Sequence, residues 1–219
     1  QGSPARLDPE EPERVAEATV RLNLRHVVIT SVTRDDLPDG GARHFAMTVQ
    51  ATRRRLPGTV IEVLIPDFRG SQKALETVLA AAPDVLNHNL ETVSRLYPRV
   101  RPGASYQRSL GVLAWAKAHA PRTATKSGLM LGLGESTTEL LRTLYDLRQA
   151  RCDLLTLGQY LQPTGRQIPV DRYVPPAEFA EYQAKAESLG FRGVAAGPLV
   201  RSSHRAEALW HKMVSDGYP

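Results

Sequence analysis

The chain has 219 residues, 42% of them hydrophobic and 23% charged, with a formal net charge of +5 at pH 7. That length suits one α/β domain with a sizeable core; no Gly/Ser/Pro-rich break divides it, and no apolar run reaches the length of a membrane-spanning helix. The basic residues are 23 Arg and 5 Lys scattered among 23 acidic residues, without the clustered basic face and interleaved aromatics of a nucleic-acid binder. Such scattering marks a solvated surface or an acidic protein partner. A single cysteine, Cys152, excludes an internal disulfide and is compatible with a reducing compartment. Charged residues replace the apolar segment of a signal peptide, so the expectation is a soluble, cytoplasmic protein. The sequence opens on Gln1 rather than Met, as a processed, cropped or partial product does.

Residues 10–24 carry acids in their first turns, an apolar side (Val15, Ala18, Val20, Leu22) and Arg near the end, which suits a helix and its dipole. Short β-branched or apolar runs then predict strands over 26–32, 59–65, 85–89, 124–131 and 154–159. Amphipathic segments at 42–56, 71–81, 105–118, 136–150 and 176–189 alternate with them. That order implies parallel βαβ units in one domain over 1–219, with a C-terminal extension from about residue 190. The first strand, in HVVITSVTRDDLPDGG, runs directly into a loop with Arg34, Asp35, Asp36 and Asp39 and a Gly-Gly exit. Loops at the carboxyl ends of parallel strands build active sites, so charge gathered there points to chemistry.

In VLNHNLETV, strand alternation puts Asn87, Asn89 and Glu91 on one side and His88 on the other if the strand persists. The amides and carboxylate then line a ligand wall, or the segment forms a strand-end Asx turn. His88 has no companion at metal-ligand spacing and is read as packed or surface-lying. In TATKSGLMLGLGE, Lys126 is costly to bury unpaired and is expected to reach the barrel mouth toward an anion. Gly128, Gly132 and Gly134 allow close backbone approach to a flat ligand, or simply turn the chain, and Glu135 starts the next helix. The same features suit a phosphate site on an ordinary barrel enzyme. Cys152, among apolar neighbours, is expected to be a buried small hydrophobe. Gln159, Tyr160 and Gln162 offer two amides and a phenol to a substrate's polar end. GPLVRSSHRA, residues 197–206, reads on its own as a turn before a Ser-capped helix.

In order and spacing, TSVTRDDLPDGGARHFA, IEVLIPDFRG, PDVLNHNLETVSRLYPRVRP, SYQRSL, TKSGLMLGLGE, LTLGQYLQPT, RYVPPAEF and GPLVRSS closely resemble the lipoyl synthase family of radical S-adenosylmethionine (SAM) enzymes. The resemblance runs from about residue 8 to residue 206. It implies a partial (β/α)6 TIM-like barrel whose first strand and cluster loop are missing from this chain, leaving an exposed strand edge. It also implies insertion of two sulfur atoms, at C6 and C8, into a protein-bound octanoyl-lysine. Two [4Fe–4S] clusters and SAM are the implied cofactors: one cluster, on C-x3-C-x2-C, cleaves SAM to a 5′-deoxyadenosyl radical, and the other is consumed as sulfur source.

By matched motif, Ser31, Asn89, Glu91, Arg108, Lys126 and Gly132 would surround SAM. Arg34, Asp35, Asp36 and Arg201 would border the octanoyl-lysine and the auxiliary cluster. In the family's closing R-S-S-Y motif the second serine ligates that cluster's unique iron; Ser203 holds this place, rather than Ser202, and His204 replaces the tyrosine. An octanoylated lipoyl carrier domain, an electron donor and an iron–sulfur carrier protein are the implied partners, with no nucleic acid and no membrane. Both cysteine triplets would lie upstream of Gln1, so this fragment is expected to be inactive by itself. The competing readings are a cluster-free barrel binding a small phosphorylated ligand and a degenerate, non-catalytic carrier-binding scaffold. A C-x3-C-x2-C segment in the coding DNA upstream separates the first reading from both.

Overall fold

Six short, mostly buried segments form the centre of the computed structural model, which describes residues 4–215 and Gly217. They are β1 (His26–Thr30), β2 (Val60–Leu64), β3 (Val85–Asn87), β4 (Ala124–Leu131), β5 (Leu154–Gln159) and β6 (Gly193–Gly197). All pair in parallel and in chain order. β5 is buried along its whole length and β4 at all but one position, which explains their near-continuous apolar character. The helices are α1 (Glu11–Arg21), α2 (Ala42–Arg55), α3 (Gln72–Ala80), α4 (Tyr97–Val100), α5 (Tyr106–His119), α6 (Thr137–Gln149), α7 (Pro176–Ser188) and α8 (Ala206–Ser215). Three helix starts are set by serine: the hydroxyls of Ser71, Ser105 and Ser136 accept from the backbone N–H three residues on, and Glu139 completes a capping box with Ser136. No helix among the described residues is long and apolar enough to cross a membrane.

The partial parallel barrel expected from the resemblance is present, with one strand more than the five read directly from the residues. The sixth, GVAAG, carries little strand signal because its residues are small for a tertiary reason. A Cβ on Gly193 would stand 2.9 Å from a Leu154 methyl and 3.4 Å from one of Leu209. Leu209 belongs to α8, which packs on β6 and also touches β1, the two unpaired edges of the sheet. Further along α8, fully buried Met213 packs with Val85, Ala124 and Leu154, the first residues of β3, β4 and β5. Arg25, just before β1, meets Glu207 at 3.3 Å. α8 therefore covers the amino-terminal end of the barrel, and the opposite end stays open.

Candidate active site

Above the layer sealed by Met213, four polar side chains from four strands meet inside the barrel. Lys126 of β4 is fully buried, and its Nζ donates to both Glu62 carboxylate oxygens of β2 at 2.9 and 3.0 Å. Asn87 of β3 donates to Glu62 Oε1 at 2.9 Å, and His26 of β1 lies 3.5 Å from the other oxygen. Burial pushes the Glu62 carboxyl up, but the His26, Lys126 and Asn87 contacts outweigh it and hold the group below its ordinary value. Lys126 is thus spent on a core ion pair below the mouth. The expectation that it faces a ligand there is corrected.

The open end holds a cavity of about 460 Å³. Val28, Thr30 and Leu64 line one side, Asn89, Glu91 and Gly128 another, and Thr156, Gly158 and the loop residues Arg201, Ser202 and Ser203 a third. Two of the sequence-predicted groups, far apart in the chain, therefore meet here. Asn89 Nδ2 donates to Ser202 Oγ at 2.7 Å, joining the end of β3 to the loop after β6. Asn89 Oδ1 is buried with no partner. Glu91 sits at φ 67°, in the left-handed region, and bridges to Leu129 of β4. Desolvation raises its carboxyl above the ordinary range against weaker downward pulls from Asn89 and Arg101. The residue-level reading missed Thr30, Thr156 and Gly158, although period-2 alternation along β1 and β5 places them inside with Val28 and Leu154. A Cβ on Gly158 would collide with the Val200 carbonyl, so glycine lets the 198–205 loop lie on the strand end.

The remaining predicted site residues stand elsewhere. Ser31 shares a small adjoining pocket with Thr30, Asn89, Glu91 and Arg101, where its hydroxyl donates to the Val32 carbonyl. Arg34 forks onto Asp36 at 2.9 and 2.7 Å and borders a separate cavity, beside α1 and α2. Asp35 pairs with Arg69 at 3.2 Å, and Asp39 accepts from the N–H groups of Gly41 and Arg43 at the start of α2. These pairings consume the charge of the loop, and Arg34, Asp35 and Asp36 do not line the strand-end cavity. Arg108 of α5 donates to Asp67 Oδ2 at 2.6 Å in the loop after β2 and is absent from the cavity wall, as is Gly132. Gly132, at φ +93°, is needed because a Cβ would run into the Arg172 carbonyl and the Gln159 amide.

Those corrections weigh against a phosphate site. The N–H groups of Gly132 and Leu133 are taken by the Glu135 carboxylate at 2.7 and 2.9 Å, which leaves no anion cradle in that turn; helix α6 starts only after the Ser136 cap. Gln159 holds Arg172 and Val174 of the following segment, Tyr160 donates to the Ile168 carbonyl and Gln162 to that of Gln167, so these three groups brace the 160–175 loop. Cys152 is buried, and desolvation drives its thiol well above the ordinary range, as expected for an inert cysteine.

His88 is packed outward against α5: Nδ1 meets the Ile65 carbonyl at 2.9 Å and Nε2 the Ser109 hydroxyl at 3.0 Å. A carbonyl only accepts, so Nδ1 carries the proton and Nε2 accepts from Ser109. Burial depresses the imidazole from 6.5 to about 4. Its neutral form therefore stabilises the fold above pH 6.5, and that contribution, about 3 kcal/mol, is lost as pH falls toward 4. Titration of the His88 ring by NMR should show a midpoint near 4; a midpoint near 6.5 would contradict this environment.

Residues 1–147 match the Radical SAM superfamily. The lipoyl synthase of Thermus thermophilus is 59% identical over 211 residues, which is 95% of this chain and 65% of that protein. That of Caldanaerobacter subterraneus subsp. tengcongensis is 56% identical over 206 residues, 94% of this chain and 72% of that protein, and that of Chlorobium phaeobacteroides is 55% identical with 71% of its length covered. The chain thus spans about two thirds of the length of these relatives. Among solved structures, the fold is similar to HydG, a maturase of the [FeFe]-hydrogenase (TM-score 0.69, 15% identity, 89% of this chain and 45% of that chain). It is also similar to Streptococcus suis SuiB bound to S-adenosylmethionine (TM-score 0.63, 12% identity, 86% and 41%). With 55–59% identity to these relatives, the superfamily match over residues 1–147 and the fold in agreement, the chain belongs to the lipoyl synthase family of the radical SAM superfamily.

Proposed function

We propose that this chain forms the barrel of a lipoyl synthase, which inserts two sulfur atoms, at C6 and C8, into an octanoyl-lysine on a carrier domain. The observation that carries the reading is the meeting of Asn89 and Glu91 with Arg201, Ser202 and Ser203 in one cavity, two motifs more than a hundred residues apart. The cavity fits SAM: its volume lies in the range of small-molecule sites, the Glu91 carboxylate and the Ser202 and Ser203 hydroxyls give it polar groups, and Gly128 keeps the wall flat. SAM, when bound and given one electron by a reductant, would supply the radical chemistry that activates an unreactive C–H bond. In this reading Asn89 and Glu91 orient it, and β1, β2 and β5 wall it off from water.

The residues present do not fit an iron–sulfur cluster. No group of three or more His, Cys, Asp and Glu among the described residues is placed to hold a metal, and the one cysteine is buried and bonded to backbone carbonyls. Toward the auxiliary cluster these residues offer one hydroxyl, that of exposed Ser203, the proposed ligand, with Arg201 beside it. The partners this reading requires are the octanoylated carrier domain, an electron donor and an iron–sulfur carrier protein, in the cytoplasm.

The test is a chimera in which this chain replaces the matching 211-residue segment of the Thermus thermophilus lipoyl synthase. It should convert octanoyl-lysine on a carrier domain to lipoyl-lysine. A folded chimera that cleaves SAM and leaves the octanoyl chain unchanged would overturn the reading.

A further inference from the structure

We infer that Arg101 is a positioning residue for Glu91: its guanidinium ties down the turn that brings Glu91 to the cavity wall and supplies the positive charge that keeps this carboxylate ionised there. Only the ligand that Glu91 serves rests on the proposed function. Past the end of β3 the chain hooks onto β4: the Glu91 N–H donates to the Gly128 carbonyl at 2.9 Å, and the Glu91 carbonyl accepts from the Met130 N–H at 2.8 Å. Glu91 makes this hook at φ 67°, where a side chain is strained, so the turn needs a hold from outside. Arg101 supplies one, because its Nη1 donates to the Asn89 carbonyl at 2.9 Å, two residues before Glu91. The guanidinium is itself seated, 5.6 Å over the Tyr97 ring of α4, and that ring meets Tyr106 edge-on at 5.3 Å.

The charge matters because desolvation raises the Glu91 carboxyl above its ordinary range, while the Asn89 amide and the Arg101 cation pull the other way. Arg101 and Glu91 share the small pocket that adjoins the strand-end cavity. The other titratable groups around them are committed elsewhere. His88 packs outward as a neutral ring, Tyr97 is a phenol held neutral by desolvation, and Arg201, from the loop after β6, donates to the Val200 carbonyl. Among the described residues, β1, β2, β4 and β5 bring no charged side chain to either wall. Arg101 is therefore the counter-charge of Glu91. An ionised carboxylate only accepts hydrogen bonds, whereas a protonated one also donates, so Arg101 decides which groups this wall can hold.

Two measurements on the 219-residue chain and one on the chimera test this. Titration of the Glu91 carboxyl by carbon NMR should give a higher midpoint in Arg101→Met and one near the parent's in Arg101→Lys; Arg101→Gln, which also removes the charge, takes the place of the Met variant if that does not fold. Hydrogen exchange at the Glu91 and Met130 N–H groups should quicken about ten-fold or more in Arg101→Met, the loss of one charge-assisted hydrogen bond, and change little in Arg101→Lys. The Ala124 N–H, bonded to the Asp84 carbonyl at the other end of β4, should keep its rate and so report that the fold is intact. In the chimera, supplied with a reductant, the acid limb of the pH profile for 5′-deoxyadenosine formation should move upward in Arg101→Met and return in Arg101→Lys. An unmoved Glu91 midpoint, a larger rise in Arg201→Met than in Arg101→Met, exchange unchanged at the hook or quickened equally at Ala124, or an unmoved acid limb in a chimera that cleaves SAM would each overturn the inference. If the carboxyl and exchange results hold while the unmodified chimera makes no lipoyl-lysine, the proposed reaction fails and the role of Arg101 stands.

Discussion

Replacing Lys126 by Met destabilises the chain by about 3–5 kcal/mol, a fall of roughly 6–20 °C in Tm for a domain of this size. The reason is asymmetric. Lys126 and Glu62 are both fully buried, so truncating the cation leaves a carboxylate without solvent or counter-charge, and only Asn87 and the His26 ring remain near it. Glu62 must then take up a proton or unfold the layer around it. Adding Glu62→Gln removes the charge and keeps an acceptor for Asn87 Nδ2, so the double variant should regain at least half of the loss. Thermal and urea unfolding of the wild type, both single variants and the double variant completes the cycle. A loss below about 1 kcal/mol in Lys126→Met, the size of an exposed pair, would show that water reaches this layer.

The same lysine shows where a sequence stops being legible. Its cost of burial is readable from its apolar neighbours, but its partner lies 64 residues earlier, on a strand two places away in the sheet. Proximity of that kind is set by strand order. Arg108 and Asp35 are alike: each pairs with a residue outside its own segment, Asp67 and Arg69. Features encoded within a few residues read well. The serine caps at 71, 105 and 136 fix three helix starts, and alternation through Asn87, His88 and Asn89 correctly separates the inward amides from the outward histidine. β6 escaped direct reading because Gly193 is small to admit Leu209, a packing demand invisible along the chain, whereas the helix after the 197–205 turn was legible. The loop that lines the cavity was legible only through its likeness to a family motif, since on local chemistry it is a turn before a helix.

In the proposed function the cavity has a cofactor wall, carried by Asn89 and Glu91, and a sulfur-side loop, carried by Ser203. Ser203 is exposed, lines the cavity and makes no side-chain hydrogen bond among the described residues, so its removal breaks nothing in the fold. Ser203→Ala in the chimera should therefore leave SAM cleavage within about two-fold of the parent while lipoyl-lysine formation falls on the order of ten-fold or more, the loss of a strong polar contact made only on the sulfur side. The direct measurement is the ratio of 5′-deoxyadenosine to lipoyl-lysine in one single-turnover reaction. The ratio should rise sharply in Ser203→Ala; both products falling in proportion would place Ser203 on the cofactor wall or in the fold, and would contradict the division.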